Sequence, residues 1–210
     1  RAAEVLRKAI SFDPIDMDLL RELVNRLVDT GEHQAAMDEL TQAIDWQPQH
    51  ALVQPWRPWT AALVHLSPLH LAANLLGCAV VAAFGIAARV PRHAALAWLA
   101  AWPLGHAALS LQPQLLHYGG LSGVLHAGVA IAALHLAWRE PGRRRIIGAA
   151  VLAGLALKLV FEQPFAAPTQ ALPGWDFRVA PLAHLTGAAA GALCGAVAQA
   201  FAGDRSPALR

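Results

Sequence analysis

Charged side chains are scarce: Asp, Glu, Lys and Arg make up 14% of the 210 residues, against about 25% in a water-soluble domain. With 56% hydrophobic residues and a mean hydropathy of +0.41, that deficit excludes an ordinary soluble domain for most of the chain. Cysteine is nearly missing. Cys78 and Cys194 offer neither a disulfide framework nor a zinc spacing, and both lie in apolar runs where a small packing residue fits. No cofactor, no bound metal and no nucleic-acid partner is expected.

Acidic residues are missing from the later part above all. Residues 1–50 hold 5 Lys/Arg and 10 Asp/Glu, a net of −5, whereas 51–210 hold 11 Lys/Arg and only 4 Asp/Glu, a net of +7. Two chemically different parts therefore meet near residue 50. The expected organisation is a soluble, acidic helical segment over 1–50, a membrane core over 51–203 and a short tail over 204–210. The sequence starts at Arg1 rather than methionine, which predicts a longer product with a signal or anchor helix upstream.

The acidic segment repeats. Ala2, Leu6, Ala9 and Pro14 return 34 residues later as Ala36, Leu40, Ala43 and Pro48. Gly31 falls between two expected helices near 17–30 and 33–46. Small alanines let paired helices approach, and proline ends the second helix of each pair. The pattern resembles a tetratricopeptide repeat, a second helix followed by one whole unit. That resemblance implies a protein partner for the segment. The plainer alternative is a helical hairpin. One and a half repeats cannot bury a core alone.

No charged residue occurs at 58–88, 93–138 or 179–203. A transmembrane helix needs about 20 apolar residues, so these stretches hold one, two and one spans. Gln112-Pro113-Gln114 and Gly119-Gly120 break the middle one. A fifth span carries Lys158 near its end, where the ammonium can snorkel to the interface. The expectation is an all-α polytopic membrane bundle with five spans near 67–88, 94–111, 121–138, 146–163 and 181–202. Arg89, Arg92, Arg139, Arg143, Arg144, Arg145, Arg205 and Arg210 all follow the first, third and last spans. By the positive-inside bias that side is cytoplasmic. Ser122 and His184 then both begin spans at the outer face, which is the periplasmic face of a bacterial inner membrane.

A serine hydroxyl needs a base to become a nucleophile, and histidine is the usual one. Ser122 lies in Gly119-Gly120-Leu121-Ser122-Gly123, where glycines leave amides free for an oxyanion. His70 and Asn74, spaced i, i+4, share one helix face near the same end. Gly187, Gly191 and Gly195 follow His184, and Gly123, Ala127 and Ala130 follow Ser122. Two helices packed through these small residues would bring Ser122 to His184.

Gly120-Leu121-Ser122-Gly123, His70-x-x-x-Asn74 and the later His184 resemble the motif set of rhomboid intramembrane serine proteases, as does Trp56-Arg57 ahead of the histidine–asparagine helix. Tyr118 to His126, Lys158-x-x-x-Glu162-Gln163 and Ala183-His184-Leu185-x-Gly187 are similar to the rhombosortase subgroup over about 54–203. The resemblance implies catalytic Ser122 and His184 with no acidic third member. It also implies an oxyanion site of His70, Asn74 and the Ser122 amide, and an active-site loop with Gly120 and Gly123. It implies a membrane-anchored protein substrate, cut near a C-terminal Gly-Gly motif in the lipid bilayer. The family has six core spans; the first has no counterpart among the five expected here.

Other histidines have plainer expected uses. His93 and His117 fall at loop edges and should be solvated, and His65 should be interfacial. His106, His126 and His135 should bond between helices. Lys158 and Glu162, at i, i+4, should pair structurally. The alternatives to a protease are a non-catalytic rhomboid-like binding protein and a membrane haem or metal protein.

Overall fold

The computed structural model describes residues 2–12, 16–50 and 54–201. Pro14 and the tail over 204–210 lie outside the described residues. The acidic segment forms three consecutive helices, α1 (Ala2–Phe12), α2 (Met17–Asp29) and α3 (His33–Ile44), with α2 packed on both others. Asp16 starts α2: its Oδ1 accepts from the Asp18 and Leu19 amides at 2.9 and 3.0 Å, satisfying donors a helix start leaves open. Leu20, Leu23 and Leu27 follow at helical spacing and are buried. Leu6, Ile10 and Ala36 join Leu23 and Leu27 in one small core. Gly31 makes the turn at φ +80°, a left-handed conformation that glycine adopts without a Cβ penalty.

The third helix stops at Ile44, short of the expected 46. Asp45 turns to extended backbone, and Trp46 pairs with Tyr118 in an antiparallel bridge. The Trp46 amide donates to the Tyr118 carbonyl at 2.7 Å, and the return bond is 3.0 Å.

After the short α4 (Arg57–Thr60) come α5 (Pro68–Ala88), α6 (Arg92–Ala107), α7 (Ser122–Arg139) and α8 (Gly142–Phe161). A two-residue ribbon, β1 (Gln170–Ala171) with β2 (Arg178–Val179), sits in the following loop, and α9 (Pro181–Phe201) closes the described chain. The Ser67 hydroxyl caps α5 by accepting from the His70 amide at 3.0 Å, and Pro68 occupies its first turn, where a missing N–H costs nothing.

Five helices thus stand at the five expected positions. Three of them, α5, α6 extended by a 3₁₀ turn to Leu111, and α9, are long and apolar enough to cross a membrane. Composition explains why α7 and α8 fall short. α7 holds His126, His135 and Arg139, and α8 opens on Arg143, Arg144 and Arg145. α7 tolerates polar groups because α5, α6, α8 and α9 all pack on it. By contrast α5 turns Leu75, Leu76, Val80 and Ile86 outward, and α8 exposes Ile146, Leu157, Val160 and Phe161, the apolar surface that lipid requires. The protein is an all-α helical membrane bundle.

The α7–α9 seam sets the site. A Cβ on Gly187 would collide with the Gly123 backbone, one on Gly191 would lie 2.5 Å from Ala127, and one on Gly195 3.3 Å from Ile131. Small residues every fourth position let the backbones touch, which is how helices associate when lipid removes the hydrophobic gain. The third contact falls on Ile131 rather than Ala130, since α7 also advances four residues per contact. Arg139 bonds Gln199 on α9, and Arg144 bonds the Ala88 carbonyl at 3.0 Å. Arg139 and Arg144 therefore lie at the end of the bundle opposite Ser122.

Candidate active site

Ser122 is the first residue of α7, so its amide has no acceptor within the helix. Two hydrogen bonds hold the preceding loop in place. The Gly120 amide donates to the Ala61 carbonyl at 2.9 Å, and the Tyr118 hydroxyl donates to the Gly120 carbonyl at 3.0 Å. Tyr118 is buried, which pushes its hydroxyl up to about 12, so it stays a proton donor. Gly120 has φ +139°, and a Cβ there would sit 2.9 Å from His70 Nε2. Only glycine suits both the conformation and the space.

The small-residue seam delivers His184 from the first turn of α9. Its Nε2 lies 3.0 Å from Ser122 Oγ. Its Nδ1 lies 2.9 Å from Glu162 Oε2, at the end of α8. The other oxygen of Glu162 is 2.5 Å from Lys158 Nζ. The His126 ring stacks on the His184 ring at 4.2 Å and 14°, while its Nδ1 bonds the Ser122 carbonyl at 2.6 Å. A carbonyl only accepts, so this nitrogen carries the proton.

His70 and Asn74 are buried on the face of α5 that meets α7. The Leu66 amide donates to His70 Nδ1 at 3.3 Å. That leaves the proton on Nε2, the atom beside Gly120. Asn74 Nδ2 is enclosed and has no hydrogen-bond partner among the described residues. A buried donor without an acceptor costs about 1–3 kcal/mol. Phe177 stacks on His70 at 4.1 Å, and Ser67 Oγ donates to Asp176 at 2.7 Å. The α8–α9 loop therefore folds over the histidine. A cavity of about 150 Å³ opens between these parts, lined by Ser122, His70, Gly119, Val64, Phe177 and Asp45 among others.

The acidic segment reaches this same end of the bundle. Asp45 Oδ1 lies 3.1 Å from the Arg57 guanidinium, and its Oδ2 lies 2.8 Å from His117 Nδ1. Burial pushes the Asp45 carboxyl up and the Arg57 guanidinium down, each opposed by the other's charge.

The structure thus brings Ser122, His184, Gly120 and Gly123 together, with His70 and Asn74 on the adjoining face of α5. Several expectations need correction. The resemblance implies no acidic third member, and the structure adds a carboxylate beside the histidine, Glu162 Oε2 at 2.9 Å from Nδ1. Lys158 and Glu162 do pair, but the pair is not isolated. His117 is half exposed, as expected, and also bonds Asp45, whereas His93 Nε2 is enclosed without a partner among the described residues. His126 bonds its own helix, whereas His106 and His135 bond across helices as expected, to the Pro58 carbonyl of α4 and to Gln199 of α9. Phe177 was not foreseen; an aromatic in a long loop carries no local signal of what it covers. Glu162 had two available signals: it lies in the Lys158-x-x-x-Glu162-Gln163 motif of the resemblance, and it is an acid at a helix C-terminus, where cations are favoured.

Among the described residues no three His, Cys, Asp or Glu side chains gather in a way that could hold a metal ion. A family model for the rhomboid domain matches residues 53–201. No curated protein and no solved structure matches the chain. The domain match covers well over half of the sequence and spans every helix that builds the site: the chain belongs to the rhomboid family.

Proposed function

We propose that the protein is an intramembrane serine endopeptidase with Ser122 as nucleophile and His184 as general base. Rhomboid proteins are generally intramembrane serine proteases, and the observation that carries the residue assignment is the 3.0 Å contact between His184 Nε2 and Ser122 Oγ. As Ser122 Oγ bonds the scissile carbonyl carbon, its proton passes to His184 Nε2 and the carbonyl π pair moves onto oxygen. The oxyanion takes hydrogen bonds from the Ser122 amide, His70 Nε2 and Asn74 Nδ2. His184 then protonates the leaving amine, the C–N bond breaks, and water hydrolyses the acyl-enzyme by the same route in reverse.

The enclosed, unpartnered Asn74 amide supports the oxyanion role, because its cost in the resting protein is recovered only when an acceptor arrives. The substrate is a membrane-anchored protein cut beside a C-terminal Gly-Gly motif. The small cavity at Ser122, walled by Gly119, Val64 and Phe177, favours small residues there. The active site faces the periplasm from a bacterial inner membrane, with the arginine-rich helix ends in the cytoplasm. The acidic segment is a tetratricopeptide-like unit on the active-site side, positioned to hold a protein partner.

Labelling by a fluorophosphonate tests the chemistry. Parent protein should take the label, and Ser122→Ala and His184→Ala should lose it. Folded parent protein without label contradicts the protease reading.

A further inference from the structure

Glu162 is out of place for a merely structural residue. It caps the C-terminus of α8, where the helix macrodipole disfavours an anion, and its side chain is 23% exposed. The backbone around it is fixed. Its amide donates to the Lys158 carbonyl at 3.0 Å, its carbonyl accepts from Gln170 Nε2 at 3.0 Å, and Gln163 turns the chain back at φ +48°. An i, i+4 pair with Lys158 needs one carboxylate oxygen. The second oxygen is aimed at His184 Nδ1, from a different helix and 22 residues away in sequence.

We infer that Glu162 is a positioning residue for His184, so that Ser122, His184 and Glu162 act as a triad; this rests on the protease reading above. Ser122 Oγ–H can donate to Nε2 only if that nitrogen is unprotonated, which puts the imidazole proton on Nδ1. The Glu162 carboxylate accepts that proton's hydrogen bond, fixing both tautomer and ring angle. When Nε2 takes the serine proton, the imidazolium gains an anionic neighbour while Nδ1 keeps its proton. Lys158 holds Glu162 ionised and tempers its pull on the imidazolium. The other groups around His184 carry no opposing charge. His126 on α7 stacks on its ring and donates through Nδ1 to the Ser122 carbonyl. His106 on α6, beside Ala183, bonds the Pro58 carbonyl, and the Tyr118 hydroxyl bonds the Gly120 carbonyl.

The test is the rate of fluorophosphonate labelling and of reporter cleavage, kcat and KM separately, for the full chain in detergent, per folded molecule. Glu162→Gln should lower kcat about 10²-fold with KM nearly unchanged, less than the ~10⁴-fold loss at a fully buried triad aspartate because Glu162 is partly solvated. Lys158→Met should lower kcat far less than Glu162→Gln does, and Glu162→Asp should recover part of kcat. A structural Lys158–Glu162 pair predicts something else: both variants lose folded protein alike, and what remains keeps the parental rate. That result overturns the inference alone. A parent protein that takes no label overturns the protease reading and this inference with it.

Discussion

The acidic segment and the membrane bundle are both helical, but they are packed by opposite rules. In α2, Leu23 and Leu27 are buried against Leu6, Ile10 and Ala36, because water makes burying large apolar side chains favourable. In the bundle the large apolar side chains of α5 and α8 point outward, and the buried seam of α7 and α9 is built from Gly123, Gly187, Ala127 and Gly191. Lipid is as apolar as leucine, so burial there gains little and close backbone contact takes over. The solvent, not the secondary structure, decides which residues form each core. The two regions meet at Asp45, Trp46 and Arg57, next to the loop that leads into Ser122.

The seam is where the comparison breaks most easily. Gly187→Leu places a side chain in the Gly123 backbone with no room to yield, so the α7–α9 contact should be lost. Fluorophosphonate labelling should disappear, and thermal unfolding in detergent should shift sharply downward. The junction comes next. Asp45→Ala leaves the buried Arg57 cation without its carboxylate, at a cost of about 3–5 kcal/mol. Because Asp45 also holds His117, the Ser122 loop should loosen, and slower labelling should accompany faster hydrogen exchange at Trp46 and Tyr118. In the water-packed core, Leu23→Ala should cost about 3 kcal/mol. Proteolysis should then attack α1–α3 first, while the labelling rate at Ser122 holds. The smallest effect belongs to Arg7→Ala. Its ion pair with Glu39 is largely exposed, and stability should change by less than about 1 kcal/mol. A large loss there, or a mild one at Gly187, would reverse the two packing rules.

Much of this was legible in the sequence, for reasons tied to particular residues. The uncharged stretches located the helices because lipid tolerates few charges over a span. The four-residue spacing of Gly187, Gly191 and Gly195 is a direct record of a helix contact, so the route from Ser122 to His184 could be read. His70 and Asn74 share a face through helical periodicity alone. The contacts that could not be read join elements with no common period. The Trp46–Tyr118 bridge links single extended residues from two distant segments, and Phe177 reaches His70 through an irregular loop. Glu162 was hidden behind a local explanation, since its spacing from Lys158 already gave it a partner. Its second partner exists only once α8 and α9 are placed side by side.

The most direct measurement is cleavage of a membrane-anchored reporter carrying a C-terminal Gly-Gly tail, comparing the parent chain with Ser122→Ala in the same membranes. The parent should release the reporter and Ser122→Ala should not, at equal amounts of folded protein. Equal release by both, or release by neither while the parent remains folded, would contradict the assignment of this bundle as a serine protease acting on that substrate.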